Sequence, residues 1–203
     1  LRYRDHKPEE LAFYSKATTD IEYLFPMGWG ELWGIADRTD YDLGVHMKHS
    51  GQDLRYLDPE TNEKYLPYVI EPSVGLDRLF LAVISNAYEK EVLDNGEERE
   101  VLRLIPSLSP IKATILPLVK KIHSDKALEL YQSLAKEFNV SYDEAGSIGK
   151  RYRRCDAVGT PFAITIDDDT LNNNTVTVRD RDTMEQVKIS LDELKDYILE
   201  RIK

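Results

Sequence analysis

Cysteine is all but absent from this 203-residue chain: Cys155 stands alone, which excludes an internal disulfide and any zinc site built from several thiolates. A lone thiol suits a reducing compartment, so the cytoplasm is the expected location. No run of 18 apolar residues occurs, and residues 1–6 lack the apolar core of a signal peptide, so no membrane partner is expected. Also missing are G-x-x-x-x-G-K-[ST], a G-x-G-x-x-G after a strand, G-x-S-x-G and H-E-x-x-H, which removes the common nucleotide folds and hydrolases from the leading readings. Histidine is scarce and scattered. His46 and His49 could be neighbours, but without a third spaced ligand they read as surface residues rather than a metal site.

What the sequence does have is a 41% apolar share, enough for real cores, and a formal charge of −10 that is unevenly spread. Residues 1–104 carry 12 basic and 21 acidic side chains, whereas residues 105–203 carry 15 and 16. Only the second half can approach a polyanion without strong repulsion. Pro106, Ser107, Ser109 and Pro110 punctuate the chain where the balance changes, placing a domain boundary near residue 105.

In residues 1–104 the pattern predicts a short helix over 8–17, an antiparallel hairpin from 21–25 and 32–36 around a turn at 26–30, a third strand over 65–70, and a helix over 79–91. Residues 105–203 read as βαβαββα: strands at 112–118, 140–142 and 162–166, two more around Val176 and Val187, and helices over 124–138, 148–158 and 191–202. Ser124 is the expected cap of the first of these helices, and Ser190 with Glu193 forms a capping box for the last. Asp167, Asp168 and Asp169 read as a strand-end turn. The fold class expected is α/β, α+β overall, with antiparallel sheet and helices first and a mixed, mostly parallel sheet second, able to fold alone.

Two segments place charge beside strand-forming residues: Gly30 to Leu43, and Val69-Ile70-Glu71-Pro72-Ser73-Val74-Gly75-Leu76-Asp77-Arg78. Glu31, Arg38 and Glu71 on buried strands need partners, either internal ion pairs or a charged ligand. Gly75 and Arg78 at a helix start could face an anion.

Ile70-Glu71-Pro72-Ser73-x-Gly75-x-x-Arg78 resembles motif 3 of class II aminoacyl-tRNA synthetases. Adding Phe25 to Leu32, Asp37 to Leu43, Gly146 to Tyr152 and Val178 to Met184, the chain closely resembles the homodimeric glycyl-tRNA synthetase family over essentially its whole length. Family members carry motifs 1 and 2 upstream, so the resemblance implies a C-terminal portion, inactive by itself and with some strand edges and apolar surface exposed. It implies a partial class II catalytic sheet in residues 1–104 and an anticodon-binding domain in 105–203.

Carried over by position, the resemblance implies that Arg38, Glu71 and Ser73 line a glycine pocket, Glu71 toward the ammonium and Arg38 toward the carboxylate. It implies that Glu31, Leu32, Gly75 and Arg78 adjoin ATP, with Glu31 a Mg2+ contact. The implied reaction activates glycine with ATP and transfers it to glycine tRNA, by positioning rather than by a protein nucleophile. The full-length enzyme is expected to be a homodimer. In the second half Lys150, Arg151, Arg153 and Arg154 form the densest basic cluster, opposite Ile148, Tyr152 and Cys155. With Arg179 and Arg181 they are the expected RNA contacts, a solvated helix face being the alternative. The competing reading of the whole is a non-catalytic RNA-binding or accessory protein descended from such a synthetase.

Overall fold

Alternating β-branched and aromatic residues build the first sheet in the computed structural model, which describes residues 1–203. The chain divides into two units, Leu1–Ser85 and Asn86–Lys203. The first unit contains strands β1 (Arg2–Asp5), β2 (Ala17–Phe25) and β3 (Gly28–Asp37), helix α1 (Tyr41–Ser50), a small ribbon of β4 (Tyr56–Leu57) with β5 (Lys64–Tyr65), strand β6 (Ile70–Val74), and helix α2 (Leu76–Ala87), which runs on to the start of the second. The sheet order is β1-β2-β3-β6, antiparallel throughout. Gly28, with φ +115°, directly follows the two-residue link Pro26-Met27.

Three expectations change here. The helix over 8–17 shrinks to a single 3-10 turn, Pro8–Glu10. The chain is drawn into the sheet instead: Lys16 N–H donates to the Asp37 carbonyl, and the Ser15 hydroxyl donates to the Ala17 carbonyl. The third strand is Ile70–Val74 rather than 65–70, because Tyr65 pairs with Tyr56 in the separate ribbon. Its Pro72 has no N–H to give, which an edge strand tolerates. The helix over 79–91 starts earlier and stops at Ala87, since the next residues form a strand. Both edge strands are open, and Trp29, Trp33, Leu76 and Phe80 are exposed.

The second unit opens with the hairpin β7 (Tyr88–Val92) and β8 (Glu98–Leu102), then runs β9 (Ala113–Pro117), α3 (Lys120–Leu134), β10 (Val140–Tyr142), α4 (Ile148–Ala157), β11 (Phe162–Ile166), α5 (Asp168–Asn173), β12 (Thr175–Asp180), β13 (Gln186–Ser190) and α6 (Leu191–Arg201). The sheet order is β10-β9-β11-β12-β13. Its first two pairings are parallel and its last two antiparallel, so the sheet is evenly mixed rather than mostly parallel. The added helix α5 arises because Asp167 accepts from Thr170 N–H as an N-cap, where a plain turn was expected.

Strict alternation on buried strands feeds two apolar layers. Ile115, Phe162, Ile164, Ile166, Val176 and Val178 pack with Ala127 and Leu134 of α3 and Leu194 and Ile198 of α6. Leu116, Ala163 and Cys155, joined by Ile148 and Tyr152, form the other, smaller layer under α4. Each fully buried large aliphatic side chain contributes about 1.5–3 kcal/mol. Burial pushes the Cys155 thiol above its ordinary pKa, which makes it a packing residue and a poor nucleophile.

Helix α3 begins before Ser124, whose hydroxyl donates to Glu144 instead of capping. The His123 ring accepts the Val119 N–H in its place, at 3.0 Å. Glu144 also pairs with Lys120 and accepts from the Tyr142 hydroxyl at 2.7 Å. Those bonds, Lys120's first, pull its carboxyl down to about 2 from the ordinary 4.5. Its contribution to stability is therefore complete above about pH 4.5 and fades as the pH falls through about 2. Carbon-13 titration of the Glu144 carboxyl should show this depressed midpoint, and Lys120→Ala should move it back up; a midpoint indifferent to Lys120 would contradict the assignment.

The largest departure concerns where the second unit begins. The expected boundary lay near residue 105, whereas the hairpin β7–β8 already belongs to the second unit. The physical reason is Arg99. Its guanidinium is completely buried and donates to Asp156 Oδ2 at 2.9 Å, to Glu91 Oε1 at 2.5 Å and to the Arg181 carbonyl. Residues 105–203 taken alone would lack this partner.

Candidate active site and nucleic-acid interface

In the first unit a cleft of about 230 Å3 lies over one face of the sheet. Register explains its lining. Glu71 and Ser73 alternate on β6 opposite Ala36 and Gly34, and across β2 the same two small residues face Thr18 and Asp20. Small side chains in the middle strand leave the floor open, while Asp20, Glu31 and Glu71 surround it with carboxylates. Glu31 reaches this face through a β-bulge. The register of β2 against β3 slips between Ile21 and Glu22, leaving Leu32 as the extra residue, so Glu31 joins Gly34 on one face although they are three apart. A Cβ added at Gly34 would stand 3.2 Å from Glu31 Oε1 and 3.7 Å from Asp20 Oδ1.

Arg38, at the end of β3, does not line the cleft. Its Nε and Nη2 bond both oxygens of Asp42, at 2.6 and 2.9 Å, and its Nη1 donates to Glu71 Oε2 at 2.7 Å. It also stacks 4.0 Å over the Tyr14 ring. Asp42 and then Glu71 hold the guanidinium above its already high ordinary range, and Arg38 in turn depresses Asp42. The expected carboxylate partner of a ligand therefore already holds two protein carboxylates, and its visible effect is to orient Glu71.

Arg78 in the first turn of α2 donates through Nη1 to the Glu31 carbonyl at 2.6 Å and lies 3.6 Å from the Glu31 carboxylate. Two of the residues expected beside ATP are thus adjacent, both well exposed. Gly75 sits at the β6–α2 junction, where its carbonyl accepts from Leu79 N–H. Leu32 occupies the bulge. Glu31 is the one carboxylate among the expected ATP neighbours, and no group of three His, Cys, Asp or Glu residues able to hold a metal ion occurs in the chain. That donor set suits an oxygen contact to Mg2+ arriving with a nucleotide and not a resident ion.

In the second unit the six expected RNA contacts separate. Lys150 is exposed without an ion-pair partner, Arg153 reaches Glu97 at 3.1 Å, and Arg154 pairs with Asp143 at 2.5 Å. Arg151, Arg179 and Arg181 are buried, contrary to expectation. Arg151 donates to the carbonyls of Pro117 at 2.5 Å and Gly146 at 2.7 Å. Arg179 grips both oxygens of Asp156 at 2.8 and 3.1 Å. Arg181 serves the carbonyls of Gly159 and Leu104 and both oxygens of Asp182. These three guanidiniums bind main chain and carboxylates within the fold and are almost wholly removed from solvent, Arg179 alone reaching the lining of a surface groove. The spacing of Ile148, Arg151 and Cys155 held the signal, because it places Arg151 on the same helical stripe as the apolar pair. Asp156 and Arg99, central to the buried network, were missed altogether.

Residues 112–201 match the family described as "Anticodon binding domain". Those residues of the second unit are thus similar to anticodon-binding domains. Over the whole chain the similarity is to glycine–tRNA ligases: that of Clostridium tetani is 68% identical over all 203 residues, which are 44% of its own length. The Clostridium acetobutylicum ligase is 61% identical and that of Caldanaerobacter subterraneus 58%, with the same coverage. The chain thus spans less than half the length of the curated relatives it matches. The hairpin β7–β8 lies outside the matched anticodon-binding residues, although Arg99 ties it to Asp156 inside them.

Proposed function

We propose that the chain is the part of a glycine–tRNA ligase that holds the amino acid and binds the anticodon region of glycine tRNA. The observation that carries this reading is the acidic cleft floored by Gly34 and Ala36, whose volume and carboxylates suit a very small ammonium-bearing substrate. Glu71, braced by Arg38, and Asp20 attract the glycine ammonium, and Ser73 adds a hydroxyl at the rim. Glu31 and Arg78 stand where Mg–ATP enters as substrate. The glycine carboxylate attacks the α-phosphorus, pyrophosphate leaves, and the glycyl group passes to the terminal ribose of the tRNA. The chain's residues bind and orient, and none acts as a nucleophile. The whole enzyme is a cytoplasmic homodimer in this reading.

The size limit is the testable part. In the full-length ligase carrying these residues, Gly34→Ala should raise the KM for glycine about tenfold, because an added methyl in a filled site costs about 1–3 kcal/mol. The KM for ATP should stay within twofold in pyrophosphate exchange. An unchanged glycine KM, or equal loss for both substrates, would place the amino acid elsewhere.

A further inference from the structure

From the sequence His6 is one of four scattered histidines, yet the first strand gives it a definite place. Strand β1 pairs Arg2 with Glu22 and Arg4 with Asp20, and the His6 N–H donates to the Thr18 carbonyl, which carries the register one residue past Asp5. Alternation therefore sets Arg2, Arg4 and His6 on the face that carries Glu22, Asp20 and Thr18. A row of basic side chains meets a row of acidic ones. Arg2 pairs with Glu22 at 2.5 Å, whereas Arg4 gives its hydrogen bond to Glu10 and stops 3.6 Å short of Asp20.

Asp20 is the most buried carboxylate of the cleft, 7% exposed, and its hydrogen bond comes from His6, whose Nε2 lies 2.8 Å from Asp20 Oδ2. An ionised carboxylate only accepts, so the half-buried imidazole donates its Nε2–H. The other carboxylate oxygen faces the cleft floor, since a Cβ built on Gly34 would stand 3.7 Å from Asp20 Oδ1. The χ2 torsion of aspartate is broad and two-fold, so a donor fixed on one oxygen decides where the other points. Imidazole suits this task. Its single N–H occupies one oxygen and leaves the second uncommitted, whereas a forked guanidinium would take both, as Arg38 does with Asp42.

We propose that His6 is a positioning residue for the amino acid: by holding Oδ2 of Asp20 it presents Oδ1 to the glycine ammonium. The proposal rests on the glycine reading above, and His6 acts through Asp20 rather than on the substrate. Each carboxylate of the cleft then has its own basic partner from a different part of the first unit. Arg38 serves Glu71, Arg78 serves Glu31, and His6 serves Asp20. Such partners fix the geometry of a charged site and keep its like charges from splaying apart.

The test is pyrophosphate exchange by the full-length ligase carrying these residues. His6→Ala should raise the KM for glycine about five- to tenfold and leave kcat and the KM for ATP within about twofold, the pattern of lost uniform binding. His6→Asn, polar but too short to reach Oδ2, should behave as His6→Ala does. His6→Gln, whose amide brings an N–H to nearly the place of Nε2, should return the glycine KM to within about twofold of the parent. Asp20→Asn should raise it at least as far as His6→Ala, and adding His6→Ala to Asp20→Asn should change it by less than about twofold more, because the two residues act as one unit. An unchanged glycine KM in His6→Ala and His6→Asn, equal loss for ATP, no recovery in His6→Gln, or full additivity in the double variant overturns the positioning role. If Asp20→Asn and Gly34→Ala raise the glycine KM and His6→Ala does not, positioning by His6 fails and the glycine cleft stands; if none of the three raises it, both fail.

Discussion

Replacing Asp156 by Ala should unfold the second unit at markedly lower temperature than any surface substitution in the chain. Its carboxylate is fully buried and receives one bond from Arg99 and two from Arg179, so removal leaves two buried guanidiniums without their shared anion. Breaking a buried charge pair by deleting one partner costs about 3–5 kcal/mol. For a chain of this size that corresponds to a fall of roughly 10 °C in Tm. Asp156→Asn, which keeps the shape and one acceptor, should fall between. Thermal melting of the three proteins checks this, and a drop of only a degree or two for Asp156→Ala would mean that water or Glu91 replaces the lost carboxylate.

The second large effect concerns chemistry. In the full-length ligase, Glu71→Gln should reduce glycine-dependent ATP–pyrophosphate exchange by at least about a hundredfold if the proposed glycine site is right, because it removes the charge proposed to complement the ammonium and leaves Arg38 with one carboxylate instead of two. Losing a charged hydrogen bond inside a site costs about 1.5–3 kcal/mol, and misplacement of the reacting carboxylate adds to it. Affinity for tRNA should remain within a few-fold. Parallel loss of tRNA binding would identify Glu71 as a structural residue of the sheet, and full exchange activity would remove it from the glycine site.

The sequence made the second sheet readable where strands are buried, as 162–166 is throughout, or half-buried between helices, as 140–142 is. Strands 140–142 and 162–166 emerge at their observed bounds because short apolar runs between helices have few other places to go. The hairpin β7–β8 was invisible for the opposite reason: charged residues dominate both strands, and its decisive side chain, Arg99, reads as surface until Asp156 is known to lie against it. Arg179 and Arg181 misled similarly, since positive charge in a domain expected to bind RNA looks functional when it is internal. At the cleft, Glu71, Ser73 and Glu31 could be named from motif resemblance, as could Arg78, which contacts Glu31 without lining the cleft. Asp20 could not, because its place depends on register across β2 and β3. The bulge at Leu32 also escapes alternation, which would put Glu31 with Trp33 and Ile35 rather than with Gly34.

The fastening of the hairpin by Arg99 has a consequence in time. Its bonds to Asp156 and to the Arg181 carbonyl join positions 57 and 82 residues apart, so they require most of the second unit to be in place before they can close. Contacts of that kind form late on the route to the folded state, and their loss accelerates escape from it far more than it slows arrival. The hairpin therefore sets chiefly how long the unit stays folded, and a version beginning at residue 105 would find its structure at nearly the same speed but lose it, and yield to proteases, much sooner.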